Sequence, residues 1–300
     1  MKKIVITCFC MPNELDDLER VLIDLNKSSK YIDGSNYEFY ISVSVDEYLI
    51  QWDLSTLSKE YIVERFSSLK PLTDWASKST FQIRPQILGA LSNKIYAYDE
   101  IKDATHFIWL DSDICFDEKS LIHMENSIDI IESNNITDKY FITPEVVKYW
   151  DTTWDCIVNE NFLDKPLDYC KINNPFQDCG EHGEIGLESV QNTVNGQPKT
   201  KFGAGWFTCV SKKLLDRIPL PVSMGHYGPD DTYLMHAIDR VNFLEDNSIY
   251  QFKIKNYIVC ENFKYRNRNY YNSVIKRIDR KEEFKKIAQE NLVIELKNLK

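Results

Sequence analysis

The chain has 300 residues, 43% of them hydrophobic and 13% aromatic, with 46 Asp+Glu against 36 Lys+Arg for a formal net charge of −10. That composition is globular rather than disordered, and the negative balance argues against nucleic acid as a partner, which is held by Lys and Arg neutralising phosphates. The eight Cys include no Cys-X-X-Cys pair, the first apolar run is too short for a secretory signal, and no run reaches the roughly 18 apolar residues of a membrane span, so the expectation is a cytoplasmic protein with reduced thiols.

Residues 2–10 are β-branched and apolar, a first buried strand punctuated by Pro12 and Asn13. From Glu14 the spacing of Leu15, Leu18, Leu22 and Leu25 predicts a helix. After Gly34, residues 37–45 read as a second strand closing at Asp46, completing a βαβ unit. A carboxylate at that strand end suits a base N–H or a ribose hydroxyl; a solvated turn Asp explains it equally well. Residues 52–78 read as a surface insertion with helical character from Glu60 to Leu69. Residues 84–99 then predict a helix, with Ile87, Leu88, Leu91, Ile95 and Tyr98 on one stripe and Pro85 in its first turn. Arg84, Asn93 and Lys94 are its polar members; such residues are mostly solvated, and Arg84 is the candidate phosphate contact.

Residues 105–116 carry the strongest signal. An apolar, aromatic strand runs into Asp111-Ser112-Asp113. If extended geometry persists, both carboxylates share a face, and two such charges repel unless a cation or proton lies between them. A hard divalent ion shared with a ligand's phosphates answers that repulsion. Open α/β sheets also bind ligands at the C-terminal ends of their strands. A surface turn is the plainer explanation of Asp-X-Asp. Asp117 is a candidate cap for a helix through Ile131, followed by a short strand at 140–143.

Beyond Pro144, Trp150 and Trp154 alternate with Asp151 and Asp155, a mixture that suits sugar rings and their hydroxyls, or an ordinary aromatic core. Residues 180–197 are rich in Gly, Glu and Asn and read as a mobile loop. In residues 202–206, Gly203 and Gly205 flank Ala204 before Trp206; a strand at 207–210 and a helix at 212–218 follow. His226 and Tyr227 then lead through Gly228 and Pro229 to Asp230 and Asp231. Pro229 in a first helical turn places both aspartates at the positive end of a helix through Ile238. A strand at 256–260 precedes Glu261. Residues 253–300 hold 13 Lys+Arg against 6 Asp+Glu. Lys264, Arg266, Arg268, Lys276, Arg277, Arg280 and Lys281 suit peripheral contact with an anionic membrane, or simply a solvated helix. Cys170, Cys179 and His182 fit the spacing of no standard zinc site.

Taken in order, these stretches resemble the GT-A glycosyltransferases over residues 2–262, and within them the inverting family-2-like (cellulose- and chitin-synthase-like) and β-1,4-galactosyltransferase-type enzymes. Asp111-Ser112-Asp113 is similar to their DxD element, residues 202–206 to the glycine-containing strand before the acceptor loop, and residues 226–231 to their Gly-Glu-Asp segment. The resemblance implies an α/β, Rossmann-like, mainly parallel sheet flanked by helices. It divides the chain into a nucleotide-sugar half (1–116), an acceptor and catalytic half (117–262) and a basic helical extension (263–300). It implies Mn²⁺ or Mg²⁺ on Asp113 and Asp111 with Glu261, and a donor, taken as UDP-linked, near Asp46, Arg84, Asp111, Ser112 and Asp113. It places a glycan, glycolipid or protein-linked acceptor near Trp150, Trp154, Gly205, Trp206, His226 and Tyr227. Asp231 matches the general base of an inverting transfer, with Asp230 beside it. The chain departs from the pattern in having Asp230 where Glu is usual, and in lacking a late His, for which Glu261 or Asn262 would stand in. A sugar-nucleotide pyrophosphorylase is the alternative enzyme, but residues 8–13 lack its Gly-rich, basic signature; a non-catalytic carbohydrate-binding protein on the same fold is the other alternative.

Overall fold

The structure is a computed structural model describing residues 2–45, 58–73, 75–84, 90–147, 179–189, 191–194, 197–200, 207–224, 230–245, 248–261 and 281–300. Strands β1 (Ile4–Cys10) and β2 (Tyr37–Ser44) are buried almost throughout. Both faces of the sheet are covered at these strands, so they read as continuous apolar runs rather than alternating ones. Between them α1 (Leu15–Ser28) buries Leu15, Leu18, Val21, Leu22 and Leu25 along one stripe. Next come α2 (Lys59–Leu69), β3 (Lys78–Arg84), α3 (Ala90–Glu100), β4 (His106–Asp111), β5 (Ile114–Cys115) and α4 (Ser120–Ser133). The second half contributes β6 (Tyr140–Val147), β7 (Gly180–Ser189), the strands β8 (Gln191–Val194) and β9 (Gln197–Thr200), β10 (Phe207–Ser211), α5 (Lys212–Arg217), α6 (Asp230–Leu244), β11 (Tyr250–Glu261) and α7 (Lys281–Asn298).

The main sheet has the order β3-β2-β1-β4-β10-β6-β11-β5, with β7 also on β11; β8 and β9 pair separately. β3, β2, β1, β4, β6 and β11 share one direction, and β10, β5 and β7 oppose it. The register sets Phe9 beside Asp111 and Phe207 beside Leu110, so three strand ends meet at one rim.

Four expectations change. Residues 78–84 form an edge strand parallel to β2, so Arg84, expected to open the helix over 84–99, ends a strand instead. Their polar, half-exposed sequence is what an edge strand carries to discourage further pairing, and it hides the strand from a hydrophobic pattern. The insertion at 52–78 is not merely superficial: α2 buries Ile62, Phe66 and Leu69. β6 runs past Pro144 to Val147 alongside β11. The stretch expected to be a mobile loop contains β7, a strand antiparallel to β11. Its glycines answer a local need. Gly183 has φ +147°, and a Cβ there would meet Asn256 Nδ2 at 3.2 Å. Asn256, itself at φ 58°, sits where the β11 register shifts, and its Nδ2 donates to the Glu184 carbonyl at 2.8 Å. A bulge needing positive φ looks, in sequence, like flexibility.

Candidate active site

β4 delivers Asp111 at its last position, half-buried, and the chain then turns at Ser112 and Asp113 before β5. The turn breaks strand alternation, so the two aspartates are not neighbours on one strand face as extended geometry implied. Asp113 instead points inward and is 5% exposed. Two side chains of the first βα unit fix this turn. Arg20 on α1 donates through Nη1 to the Ile114 carbonyl at 2.8 Å and through Nη2 to the Ser112 carbonyl at 3.2 Å. Asp17 and Asp24 flank its guanidinium at 3.9 and 3.6 Å. Glu14 accepts from Ser112 Oγ and from the Met11 amide, both at 3.0 Å, through the same Oε2. Sequence reasoning missed Arg20 and Glu14. Arg20 with Asp17 three residues before it and Asp24 four residues after it reads as surface ion pairing, and only the docking of α1 reveals its other partners.

Across the rim, β11 pairs antiparallel with β5 and brings the Glu261 backbone opposite Ile114, the residue after Asp113. Among the described residues no cluster of three His, Cys, Asp or Glu is placed to hold a metal ion. Asp111 and Asp113 are nonetheless hard oxygen donors of the kind Mg²⁺ and Mn²⁺ take, and those ions commonly use one or two carboxylates plus substrate phosphates. The residues present fit such an ion on those terms. The Cys8 thiol, beside this acidic rim, is pushed well up by burial and by the charges of Asp111, Glu14 and Asp113, so it stays protonated.

α6 begins at Asp230 and Asp231. The Asp231 carboxylate accepts from the Thr232 amide at 2.6 Å within the first helical turn. Asp230 is ion-paired through Oδ2 with the Lys94 ammonium of α3. Lys94 and Asn93 were expected to be solvated; both are buried, at 5% and 2% exposure. Asn93 accepts from Ser42 Oγ at 2.6 Å. Lys94 Nζ lies 4.5 Å from the centroid of the Trp109 ring on β4. Burial alone would lower the Lys94 pKa, but the charges of Asp230, Asp111 and Asp231, with the hydrogen bond to Asp230, raise it above the usual lysine value. One buried ammonium therefore feels both motifs that the sequence singled out. Their convergence on Lys94, which lies 136 residues before Asp230, could not be seen in either motif alone.

Arg84, the expected phosphate contact, ends the edge strand β3 and is engaged there. Its Nη2 donates to Tyr40 Oη at 2.5 Å, Glu100 lies 3.6 Å away, and the guanidinium sits 4.6 Å over the Tyr96 ring. Three strand spacings, about 14 Å, separate β3 from β4. The structure thus does not bring Arg84 to the aspartates. Asp46, Trp150, Trp154, Gly205, Trp206, His226 and Tyr227 lie outside the described residues, as does the Glu261 side chain.

No protein-family model and no curated protein matches the sequence. Among solved structures, the chain is similar to residues 1–349 of TarS from S. aureus in complex with UDP-GlcNAc, with TM-score 0.54 and 13% identity over 99% of this chain and 67% of that one. A second structure of TarS 1–349 gives TM-score 0.51 and 12% identity over 95% and 69%. The chain has the GT-A glycosyltransferase fold. GalNAc-T7 with UDP, GalNAc and Mn²⁺ is more distant, at TM-score 0.49 and 9% identity over 87% of this chain and 44% of that one. Within the GT-A frame, Asp111 closes the strand beside β1, and α6 opens at the ion pair of Asp230 with Lys94.

Proposed function

We propose that the protein is a nucleotide-sugar glycosyltransferase that moves a sugar from a UDP-linked donor to an acceptor hydroxyl with inversion. The observation that carries this reading is buried Lys94, ion-paired with Asp230 at the start of α6 and set over the ring of Trp109, two residues before Asp111 at the C-terminal end of β4. That rim is where open α/β sheets bind ligands.

Asp113 and Asp111 are the residues that would hold Mn²⁺ or Mg²⁺, with Glu261, whose backbone pairs with Ile114, as the proposed further ligand. When bound, such an ion neutralises charge on the departing diphosphate. Arg20 and Glu14 keep the turn rigid, so the two carboxylates present fixed oxygens. Asp231 takes the proton from the acceptor hydroxyl as that oxygen attacks the anomeric carbon from the face opposite the diphosphate. A single displacement inverts the anomeric configuration. The helix N-terminus keeps the Asp231 carboxylate ionised and ready to accept. Asp230, tied to Lys94, anchors rather than reacts. The acceptor is a glycan, glycolipid or protein-linked hydroxyl, with the basic residues between Lys264 and Lys281 favouring an acceptor at an anionic surface.

The test is a screen of UDP-, GDP- and CMP-sugars for Mn²⁺-dependent thermal stabilisation, since a ligand of the folded state raises apparent stability by mass action. Slow, divalent-dependent release of nucleoside diphosphate from the stabilising donor is the expected second signal. Stabilisation without any release, even with acceptors supplied, would make the protein a binder; neither signal with any donor overturns the proposal.

A further inference from the structure

A helix facing a sheet ordinarily buries apolar residues, yet the buried positions of α3 are Leu91, Asn93, Lys94 and Ala97. Asn93 is explained by Ser42 on β2. Lys94 instead forms its ion pair with the first residue of α6, far along the chain. Its ammonium also faces the ring of Trp109, two residues before Asp111. Trp109 is 2% exposed and fixed in β4, paired on both sides with β1 and β10. Lys94 therefore touches the strand that ends in one acidic motif and the helix that begins with the other.

A buried ion pair is a poor device for stability. Desolvating both charges offsets much of their attraction, and apolar replacements of similar volume are often as stable. What such a pair supplies at low cost is a fixed direction. Asp231 follows Asp230 in one rigid turn, about 100° further round the helix axis, so holding one carboxylate orients the next.

We propose that Lys94 is a positioning residue for the transfer reaction: by holding Asp230 it fixes the first turn of α6, and with it the aim of Asp231, relative to the end of β4. This rests on the assignment of Asp231 as the base in the proposed function. The role is geometric; Lys94 does not exchange a proton with substrate.

The test uses the full chain and three variants: Lys94→Met, which keeps most of the unbranched stem without the charge, Asp230→Asn, and the two combined. The combined variant removes both charges of the pair and so keeps the test open if either single variant fails to fold. Displacements of the order of 1 Å can cost a reaction about 10²-fold. Each folded variant should therefore lose kcat by about that factor while the donor KM stays within about threefold, and the combined variant should be no worse than either single one. Hydrogen exchange should quicken at the amides of residues 234–238, which donate into the first turn of α6. Wild-type kcat in the combined variant, or losses that multiply, would overturn the proposal. If the unmodified protein turns over no nucleotide sugar, the proposed function fails on its own; exchange at 234–238 then decides the anchoring, and rates unchanged in the combined variant sink it.

Discussion

Arg20 donates from Nη1 to the carbonyl oxygen of Ile114 at 2.8 Å, one residue past Asp113. Its second nitrogen takes the Ser112 carbonyl, so one guanidinium spans the turn that presents the aspartate. Groups that orient a metal-binding carboxylate typically change metal affinity by about 10–100-fold when removed. Arg20→Ala should weaken Mn²⁺-dependent binding of nucleoside diphosphate by that factor, while metal-free binding stays put. Titration calorimetry with and without Mn²⁺ measures both. Equal affinities for the two proteins in the presence of Mn²⁺ would show that the turn holds its shape unaided.

Asp113 itself tests the metal reading. It is buried in the turn after β4, while the register of β4 with β1 and β10 ends by Asp111, so the sheet does not depend on its carboxylate. Asp113→Ala should remove the dependence of donor binding on Mn²⁺ or Mg²⁺ and leave the melting temperature of the free protein within a few degrees. A folded Asp113→Ala protein whose nucleotide-sugar affinity still rises with divalent ion would remove Asp113 from the metal site.

The parts of the fold that were legible in sequence are those whose pattern is set by burial on both faces. β1, β2 and β4 read as apolar runs because helices cover them, and α1 reads from its leucine stripe. β3 and β7 did not read as strands. One is a half-exposed edge, and the other carries glycines that a bulge requires. The site divides the same way. Asp111, Asp113, Asp230 and Asp231 stood out through local context: a strand end and a helix start. Arg20, Glu14 and Lys94 did not, because a charged residue on a helix looks solvated until the facing element is known. Lys94 differs from an exposed lysine only in what α3 packs against, which is non-local information.

His106 gives the fold a pH dependence separate from the chemistry. It is 2% exposed, with Nε2 2.7 Å from Tyr140 Oη and Nδ1 2.9 Å from Thr105 Oγ1. Burial, helped by the charge of Lys2 and opposed by Asp129, lowers its pKa to about 4. An unfolded histidine titrates near 6.5. Between those values the unfolded chain binds a proton that the folded chain does not, so stability rises with pH through that window and falls as pH drops from about 6.5 to 4. Moving from pH 7 to pH 5 should cost about 2 kcal/mol through this residue. Urea unfolding at the two pH values should therefore show a difference larger by about that amount in the native sequence than in His106→Gln. Equal pH differences in both proteins would mean that His106 titrates normally in the folded state.

The base assignment has the sharpest kinetic consequence. Asp231 lies at the start of α6, its carboxylate accepting from the Thr232 amide, beside the pair that Lys94 makes with Asp230. The helix dipole and that hydrogen bond favour the ionised carboxylate, which keeps it available at neutral pH but makes it a weak base. Its contribution must then come from proximity and from charge that develops in the transition state. Removing a general base typically lowers a rate by roughly 10²–10⁴-fold. Asp231→Asn should lower kcat by that factor, with donor affinity little changed because Asp111 and Asp113 are untouched. Asp230→Asn should lie lower in that range, since it disturbs the direction of the base and not its chemistry. Measured kcat for the two variants, with NMR of the first-formed product, decides the matter. An Asp231→Asn enzyme that keeps most of its kcat excludes Asp231 as the base, and a product that retains the donor's anomeric configuration excludes the single displacement.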